Sequence, residues 1–376
     1  MPHHHPRGYK AEHRLFSKTM RSQMLIALCL AAGSPSATGT RAWITAPKDL
    51  EAHPDWGSFE DFAELYDKTY TADDLRPRFA AFVSNIDAVN ASPQSHGTSK
   101  ELNQFADLDP ASFREAMGGG CYAAARRAAQ SVCTTFAPTE YELAHLPDSV
   151  DWRDHGVVTP VKNQGKCGSC WSFSATGAME GAWARATGHL VSLSEQQLLD
   201  CSQGYGNQAC NGGIMEEAFT YAIQHGMCPD EEDPYKAKGG SCEHCTPHVF
   251  MSSCMDVEPG NQLALQAAVA RQPVSVAIEA DTSTFQLYAG GVVKSMQCGT
   301  NLDHGVLVVG YGEEAGEAYW LVKNSWGPDW GEDGYVKIAR TNSTSDPGVC
   351  GIGMQPSFPV AVRKASPLLP CNFVLY

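Results

Sequence analysis

Gln164-Gly165-Lys166-Cys167-Gly168-Ser169-Cys170-Trp171-Ser172-Phe173 decides how this chain is read. A Gly-Ser turn delivers Cys170 onto a stretch where Trp171, Ala175, Ala178, Met179, Ala182 and Ala186 recur at helical spacing until Gly188, a stop signal. Cys170 is therefore expected at the first position of a helix. There, backbone N–H groups without intrahelical partners and the positive dipole end favour a thiolate over a thiol. Such a sulfur is nucleophilic at mild pH, and it needs a partner that stabilises it and later donates a proton. Asp303-His304-Gly305 opens an expected strand, with His304 134 residues after Cys170. Asn324, in Lys323-Asn324-Ser325-Trp326-Gly327, follows Cys170 by 154 residues and could accept from the far side of that imidazole. Singly, each residue has a plainer reading: a buried or bridged cysteine, a core tryptophan at Trp326, a surface glutamine at Gln164. Their coincidence is what points to nucleophilic chemistry.

Outward from this stretch the chain reads first helical, then stranded. Ser194 followed by Gln197 has the pattern of a capping box for a helix through Leu199. Met215, Ala218, Phe219, Ala222 and Ile223 form a further helical stripe stopped at Gly226. After about residue 256, the runs 274–280, 306–311, 318–323 and 334–339 are short, rich in Val, Ile, Tyr and Trp, and separated by Gly, Asp and Pro. Helices and then strands in blocks predict an α+β fold, two-lobed, with a cleft between a helical and a stranded lobe.

Composition agrees with folded domains. The chain has 376 residues, 43% hydrophobic and 18% charged, enough apolar material for a sizeable core. Its 27 Lys+Arg against 42 Asp+Glu give a net charge of -15, which disfavours nucleic acid and anionic membranes as partners. Most of this acidity lies after residue 145, where 25 acidic side chains face 13 basic ones. Fourteen cysteines point to an oxidising compartment. Residues 1–37 read as a signal peptide and leader, with an apolar run at 24–32 behind Lys18 and Arg21; Met20 would give a more ordinary start. His3-His4-His5 has no ligand framework around it, and neither a functional metal nor a transmembrane span is expected. Gly118-Gly119-Gly120 and the Ala/Arg-rich run after it mark 118–145 as an exposed linker where cleavage is easiest. Asn90-Ala91-Ser92 and Asn342-Ser343-Thr344 permit N-glycosylation.

Residues 146 to about 362 resemble the mature domain of papain-family cysteine proteases of the cathepsin L type. The resemblance rests on Asp151-Trp152, Pro160-Val161-Lys162-Asn163-Gln164-Gly165, the Cys170 stretch, Cys210-Asn211-Gly212-Gly213, Pro273-Val274-Ser275-Val276, the His304 strand and Asn324-Ser325-Trp326-Gly327. The Cys-to-His and Cys-to-Asn separations are also those of papain-type enzymes. It implies a two-lobed papain-like fold and a cysteine endopeptidase with Cys170 as nucleophile, His304 as acid and base, and Asn324 as its orienter. Gln164 would donate to the oxyanion together with the Cys170 N–H, and Trp326 would shield the His304–Asn324 bond from water. An extended substrate would lie on Gly212 and Gly213. The pocket for the side chain two residues before the scissile bond would be lined by Ile214, Met215, Ala277 and Gly305, with Gln355 at its floor and apolar side chains preferred. No cofactor is implied, and the enzyme is expected to act as a monomer on protein and peptide substrates. No His-His insertion of the kind that blocks the cleft of carboxydipeptidase relatives is found, which favours an endopeptidase.

By the same resemblance Cys167 pairs with Cys210, Cys201 with Cys242, and Cys298 with Cys350. Cys228, Cys245 and Cys254 are left over. A Cys228–Cys245 bridge is expected, with a zinc site from Cys228, Cys242, Cys245 and Cys254 as the rival. Cys121 and Cys133 could pair with each other, and Cys371 in the tail (363–376) is unassigned.

Residues 56–117 resemble the inhibitory propeptide of these proteases, on Trp56, Phe59, Phe62, Tyr66, Tyr70, then Arg78, Phe82 and Asn85, then Asn103, Phe105 and Asp107. Asp74, Val89, Pro93 and Glu101 depart from its pattern, and Pro77 is expected to kink the long helix. This implies a zymogen held by its own propeptide, with protonation of Asp107 and its acidic neighbours loosening it as pH falls. The expected location is the secretory pathway, with lysosome or vacuole and exterior both open. The competing class is a non-enzymatic storage or binding relative, against which the joint presence of Gln164, Cys170, His304 and Asn324 argues. A weaker reading is that the released pro-segment serves separately as a protease inhibitor.

Overall fold

The computed structural model describes residues 47–91, 98–117, 132–294 and 297–362. The expected leader (1–37), His3-His4-His5, the tail (363–376), Ser92 of the first sequon, and Cys29, Cys121 and Cys371 lie outside the described residues.

The first stretch folds as three helices, α1 (Lys48–Glu51), α2 (Trp56–Leu65) and α3 (Ala72–Asn90). Trp56, Phe59 and Phe62 of α2 meet Phe79 and Phe82 of α3 with ring centroids 5.0–5.3 Å apart, so the aromatic spacing read from the sequence makes a small core of its own. Thr71 caps α3 by accepting from the Asp74 N–H, and the helix continues through Pro77 as one 19-residue element. The chain then places β1 (Ser99–Lys100) and α4 (Pro110–Ala116) against the larger body.

That body begins with β2 (Thr134–Phe136), α5 (Glu140–Ala144) and β3 (Val150–Asp151). Helices α6 (Cys170–Thr187), α7 (Glu195–Cys201) and α8 (Met215–His225) follow. The remainder is mostly stranded: β4 (Met251–Val257), α9 (Gln262–Arg271), β5 (Val274–Ile278), α10 (Ser283–Gln286), β6 (Tyr288–Gly290), β7 (Val292–Val293), β8 (His304–Glu314), β9 (Glu317–Lys323), β10 (Tyr335–Ala339) and β11 (Ser357–Ala361). Nine strands form one sheet in the order β2-β4-β11-β5-β8-β9-β10-β7, with β3 also on β8, and β1 pairs with β6. The α+β expectation stands.

Alternation along the central strands divides two cores. On β8, Val306 and Val308 enter the core between the sheet and α9, whereas Leu307 and Val309 join the core built on α6, α7 and α8. Val322 and Leu321 of β9 divide the same way, as do Val276 and Ala277 of β5. A sheet buried on both faces explains why these strands read as unbroken apolar runs. Helix α6 can lie flat on it because Gly177 faces Leu307 and Gly181 faces Pro273.

Three expectations change. Residues 132–145 are not a bare linker: β2 pairs in parallel with β4, and Phe136 is buried against Phe358 at 5.3 Å. Ser194 accepts from the Gln197 N–H, but the box is half made, because the Gln197 side chain turns to Tyr221, the Gly226 carbonyl and the Cys228 N–H. Cys133 bonds to Cys254, which excludes a Cys121–Cys133 bridge. Cys167–Cys210, Cys201–Cys242, Cys298–Cys350 and Cys228–Cys245 form as expected, and so the four cysteines of the rival zinc site are spent in three different bridges.

A methyl group added at Gly181 would sit 2.7 Å from the rigid Pro273 ring. Gly181→Ala should therefore destabilise the fold by about 1–3 kcal/mol through overpacking, reversing the ~1 kcal/mol gained in helix propensity. Thermal melts of the full chain with and without the substitution check this.

Candidate active site

Cys170 is the first residue of α6, entered through Cys167-Gly168-Ser169, and its side chain is fully buried. Strand β8 crosses directly over it. The Gly305 N–H donates to Cys170 Sγ at 3.1 Å, and a Cβ on Gly305 would lie only 3.3 Å from Trp171 Cα and from Met215 Sδ. Only a residue without a side chain lets the strand come so near the helix. His304, next in the strand, is thereby brought from the stranded lobe to the start of the helical one. Its Nε2 is 2.8 Å from Asn324 Oδ1, an oxygen that also accepts the Ser325 N–H at 2.8 Å. Two donors on one atom identify it as the carbonyl oxygen, so Nε2 carries the proton and Nδ1 is the nitrogen left for exchange with a nucleophile. Trp326 is 1% exposed and stacks on the His304 ring at 4.8 Å, keeping water from that bond.

Gln164 is buried beside the same turn. Its amide oxygen accepts from Ser325 Oγ at 2.6 Å and its NH2 donates to the Cys167 carbonyl at 3.1 Å, which fixes the amide with its nitrogen toward the Cys170 turn. Tyr235 braces this arrangement: its hydroxyl donates to the Gln164 carbonyl at 2.7 Å and lies 2.6 Å from Ser169 Oγ. Tyr235 gave no sequence signal, since nothing local ties it to a turn 71 residues away. Ser325 stood inside a quoted motif without being assigned a part.

The residues expected on the substrate side lie as follows. Gly212 adopts φ 104°, a conformation that favours glycine, and a Cβ on Gly213 would overlap Asn207 Oδ1 and the Trp171 ring, so the first is required by its backbone and the second by packing. Asn207, missed in the sequence, accepts the Ile214 N–H at 2.9 Å and sets that wall. Ile214, Met215 and Ala277 share one apolar cluster, with Met354 at its margin, and Ala277 pairs across the sheet with Gly305. Gln355 lies half-buried next to Met354.

Residues 98–117 dock on this face. Asn103 Nδ2 donates to the Gln286 carbonyl, and Gln286 Nε2 donates back to the carbonyls of Phe105 and Leu108, at 2.7–2.9 Å. Phe105 and Phe113 meet the Trp326 ring edge-on at 5.7 and 5.5 Å, and Gln104 Nε2 donates to the Trp326 carbonyl. Asp107 accepts from Lys68 Nζ and Tyr70, both at 3.2 Å, which ties the docked segment back to its helices.

Residues 146–360, well over half of the chain, match the model of the papain family cysteine proteases, and residues 59–113 match the cathepsin propeptide inhibitor domain. The chain belongs to the papain family. Cysteine protease 1 of Oryza sativa subsp. japonica is 48% identical over 75% of this chain and 59% of its own, and oryzain beta chain of the same plant is 46% identical over 75% and 61%. The chain thus spans about 60% of the length of these two relatives. Cysteine protease XCP2 of Arabidopsis thaliana is 42% identical over 85% of this chain and 90% of its own. Among solved structures, a recombinant stem bromelain precursor superposes with a TM-score of 0.75 at 33% identity (82% of this chain, 99% of that one), and digestive procathepsin L 3 of Tenebrio molitor with 0.74 at 36% (82% and 99%).

Burial pushes the His304 imidazole down to about 4, the Asn324 bond opposing. The preceding Asp303 is pushed up to about 7 by burial and by Asp281, against backbone N–H donors from Ala280 and Asp281. Glu195, buried near Glu180, is likewise raised to about 7 by desolvation and that neighbour, with Lys162 opposing.

These shifts set the sign of the acid response. Two carboxyls that hold protons up to about pH 7 when folded, and only to about 4 when unfolded, make the folded state bind more protons in that window, so stability rises as pH falls. His304 acts oppositely below about 6.5, one group against two. Thermal melts of the matured, thiol-blocked protein are expected to shift upward from pH 8 to pH 5; a downward shift would overturn this assignment.

Proposed function

We propose that the chain is the zymogen of a cysteine endopeptidase that cleaves proteins and peptides through Cys170, His304 and Asn324. The observation that carries the reading is the crossing of β8 over the N-terminus of α6, where the Gly305 N–H touches Cys170 Sγ and the adjoining His304 is held by Asn324. The Cys170 sulfur at the helix N-terminus ionises and passes its proton to Nδ1 of His304, and imidazolium and thiolate stabilise one another. The thiolate attacks the peptide carbonyl. The developing oxyanion is met by the Gln164 amide and the Cys170 N–H, His304 protonates the leaving amine, and water then hydrolyses the thioester with His304 as base.

An extended substrate lies along Gly212 and Gly213, and the side chain two residues before the scissile bond enters the space among Ile214, Met215, Ala277 and Gly305. That lining carries no charge, which favours an apolar occupant; Gln355 at its floor supplies a neutral amide and no counter-charge for arginine. The docked 98–117 segment, seated on Trp326 through Phe105 and Phe113, keeps the zymogen inactive. The Asp107–Lys68 ion pair ties that segment to its helices, and maturation takes place in the secretory pathway, in a vesicle or after export. Five described disulfides support the oxidising route, and no described helix is long and apolar enough to cross a membrane. A monomer needing no cofactor suffices for this chemistry.

Two outcomes test the reading. Acid-matured protein exposed to a thiolate-alkylating epoxide should take one label, at Cys170, and lose peptidase activity; a protein left unlabelled there, or labelled with its activity intact, would overturn the reading. Gln164→Ala should lower kcat by about 10²–10³-fold with little change in KM, because the amide acts on charge that exists only in the transition state.

A further inference from the structure

The segment that blocks the site and the segment that follows it are attached in different ways. Residues 47–117 contain no cysteine and hold to the larger body by side-chain contacts and the two-residue pairing of β1 with β6. From Val132 onward the attachment is covalent and backbone-deep. Cys133 is bridged to Cys254 in β4, and Thr134, Thr135 and Phe136 run in parallel register with Met255, Asp256 and Val257. Phe136 is 4% exposed, with Phe358 edge-on to it and the Arg271 guanidinium 4.7 Å over its ring. Beyond it, α5 has a complete capping box from Thr139 and Glu142, and Glu142 also accepts from Arg271 at the end of α9. Glu142 is held down to about 2 by the Thr139 N–H first and Arg271 second, so this contact persists at vesicle pH. The next residue contacts belong to the peptidase core itself, with Leu146 packed on it and Tyr311 donating to the Pro147 carbonyl.

We infer that residues 132–145 are a permanent N-terminal strap of the mature peptidase rather than part of the pro-segment that leaves. The maturation cut then falls N-terminal to Val132, and any second cut between Phe136 and Leu146 leaves a peptide linked to Cys254 instead of releasing it. The strap covers β4, which would otherwise be the edge of the sheet with its N–H and C=O groups open to pairing with another chain. Backbone held in a ladder is also a poor protease substrate, unlike an exposed loop. The inference rests on the zymogen reading for its maturation step but not for the strap's attachment.

Limited pepsin digestion of the full-length Cys170→Ala protein at pH 4, followed by mass measurement without reduction, tests the attachment independently of the chain's own activity. The expected stable core carries Cys133 linked to Cys254, and the wild-type protein matured by acid and mild reductant shows an N-terminus upstream of Val132. A core that begins after Phe136, with Cys254 as a thiol, overturns the strap. A wild-type chain that never matures while the pepsin core keeps its Cys133 link counts against the peptidase reading alone. Cys133→Ser should lower the Tm of the pepsin core by roughly 5–10 °C and let β2 be trimmed; an unchanged Tm and an untrimmed β2 would show that the bridge is not what holds the segment.

Discussion

The contact on which the molecule's chemistry depends is the approach of β8 to the first turn of α6. A backbone N–H and a sulfur 3.1 Å apart meet where the sheet, packed along α6, crosses the start of that helix, and the absence of a side chain at Gly305 permits it. Everything else at the site follows from that registry. His304 is one residue from the contact, so pairing of Ile278 with His304 and of Ala277 with Gly305 aims the imidazole as it lays down the pocket wall. A slip of one residue would turn His304 to the other face of the sheet.

The registry is reinforced by a buried ionic cluster behind the site. Lys162 Nζ reaches Glu195 at 2.7 Å and Glu180 at 3.3 Å, Thr159 donates to Glu180, and Lys323, the neighbour of Asn324, donates to the Thr159 carbonyl at 2.7 Å. Charges taken from water in this way add little net stability, but losing one member strands its partner at about 3–5 kcal/mol. The cluster thereby resists relative displacement of α6, α7 and β9. It borders a cavity of about 20 Å³ that also touches Gly305 and Asn324, room for about one water.

Disulfides divide the chain into parts with different fates. The helical pro-segment has none, which suits a piece that must leave. The papain-family body has bridges at its turns, at the entry loop of α6 through Cys167, and at β2 through Cys133.

Much was legible in the sequence because it was local. The stripe from Trp171 to Gly188, the stop at Gly226 and the apolar runs of β5, β8, β9 and β10 each carry their own period, and nearest neighbours in sequence are enough to set it. The catalytic candidates were legible as motifs, and Gly212 and Gly213 as a surface for an extended chain, whereas Gly305 was read only as pocket lining and its close approach to α6 was not foreseen. What only the tertiary structure decided are relations between distant segments. Tyr235 supports Gln164, Asn207 holds Ile214, Gln197 abandons its capping box for Tyr221 and Cys228, and Cys133 chooses Cys254 over Cys121, because each outcome depends on which groups the packed lobes bring within 3 Å, and no local pattern encodes that distance.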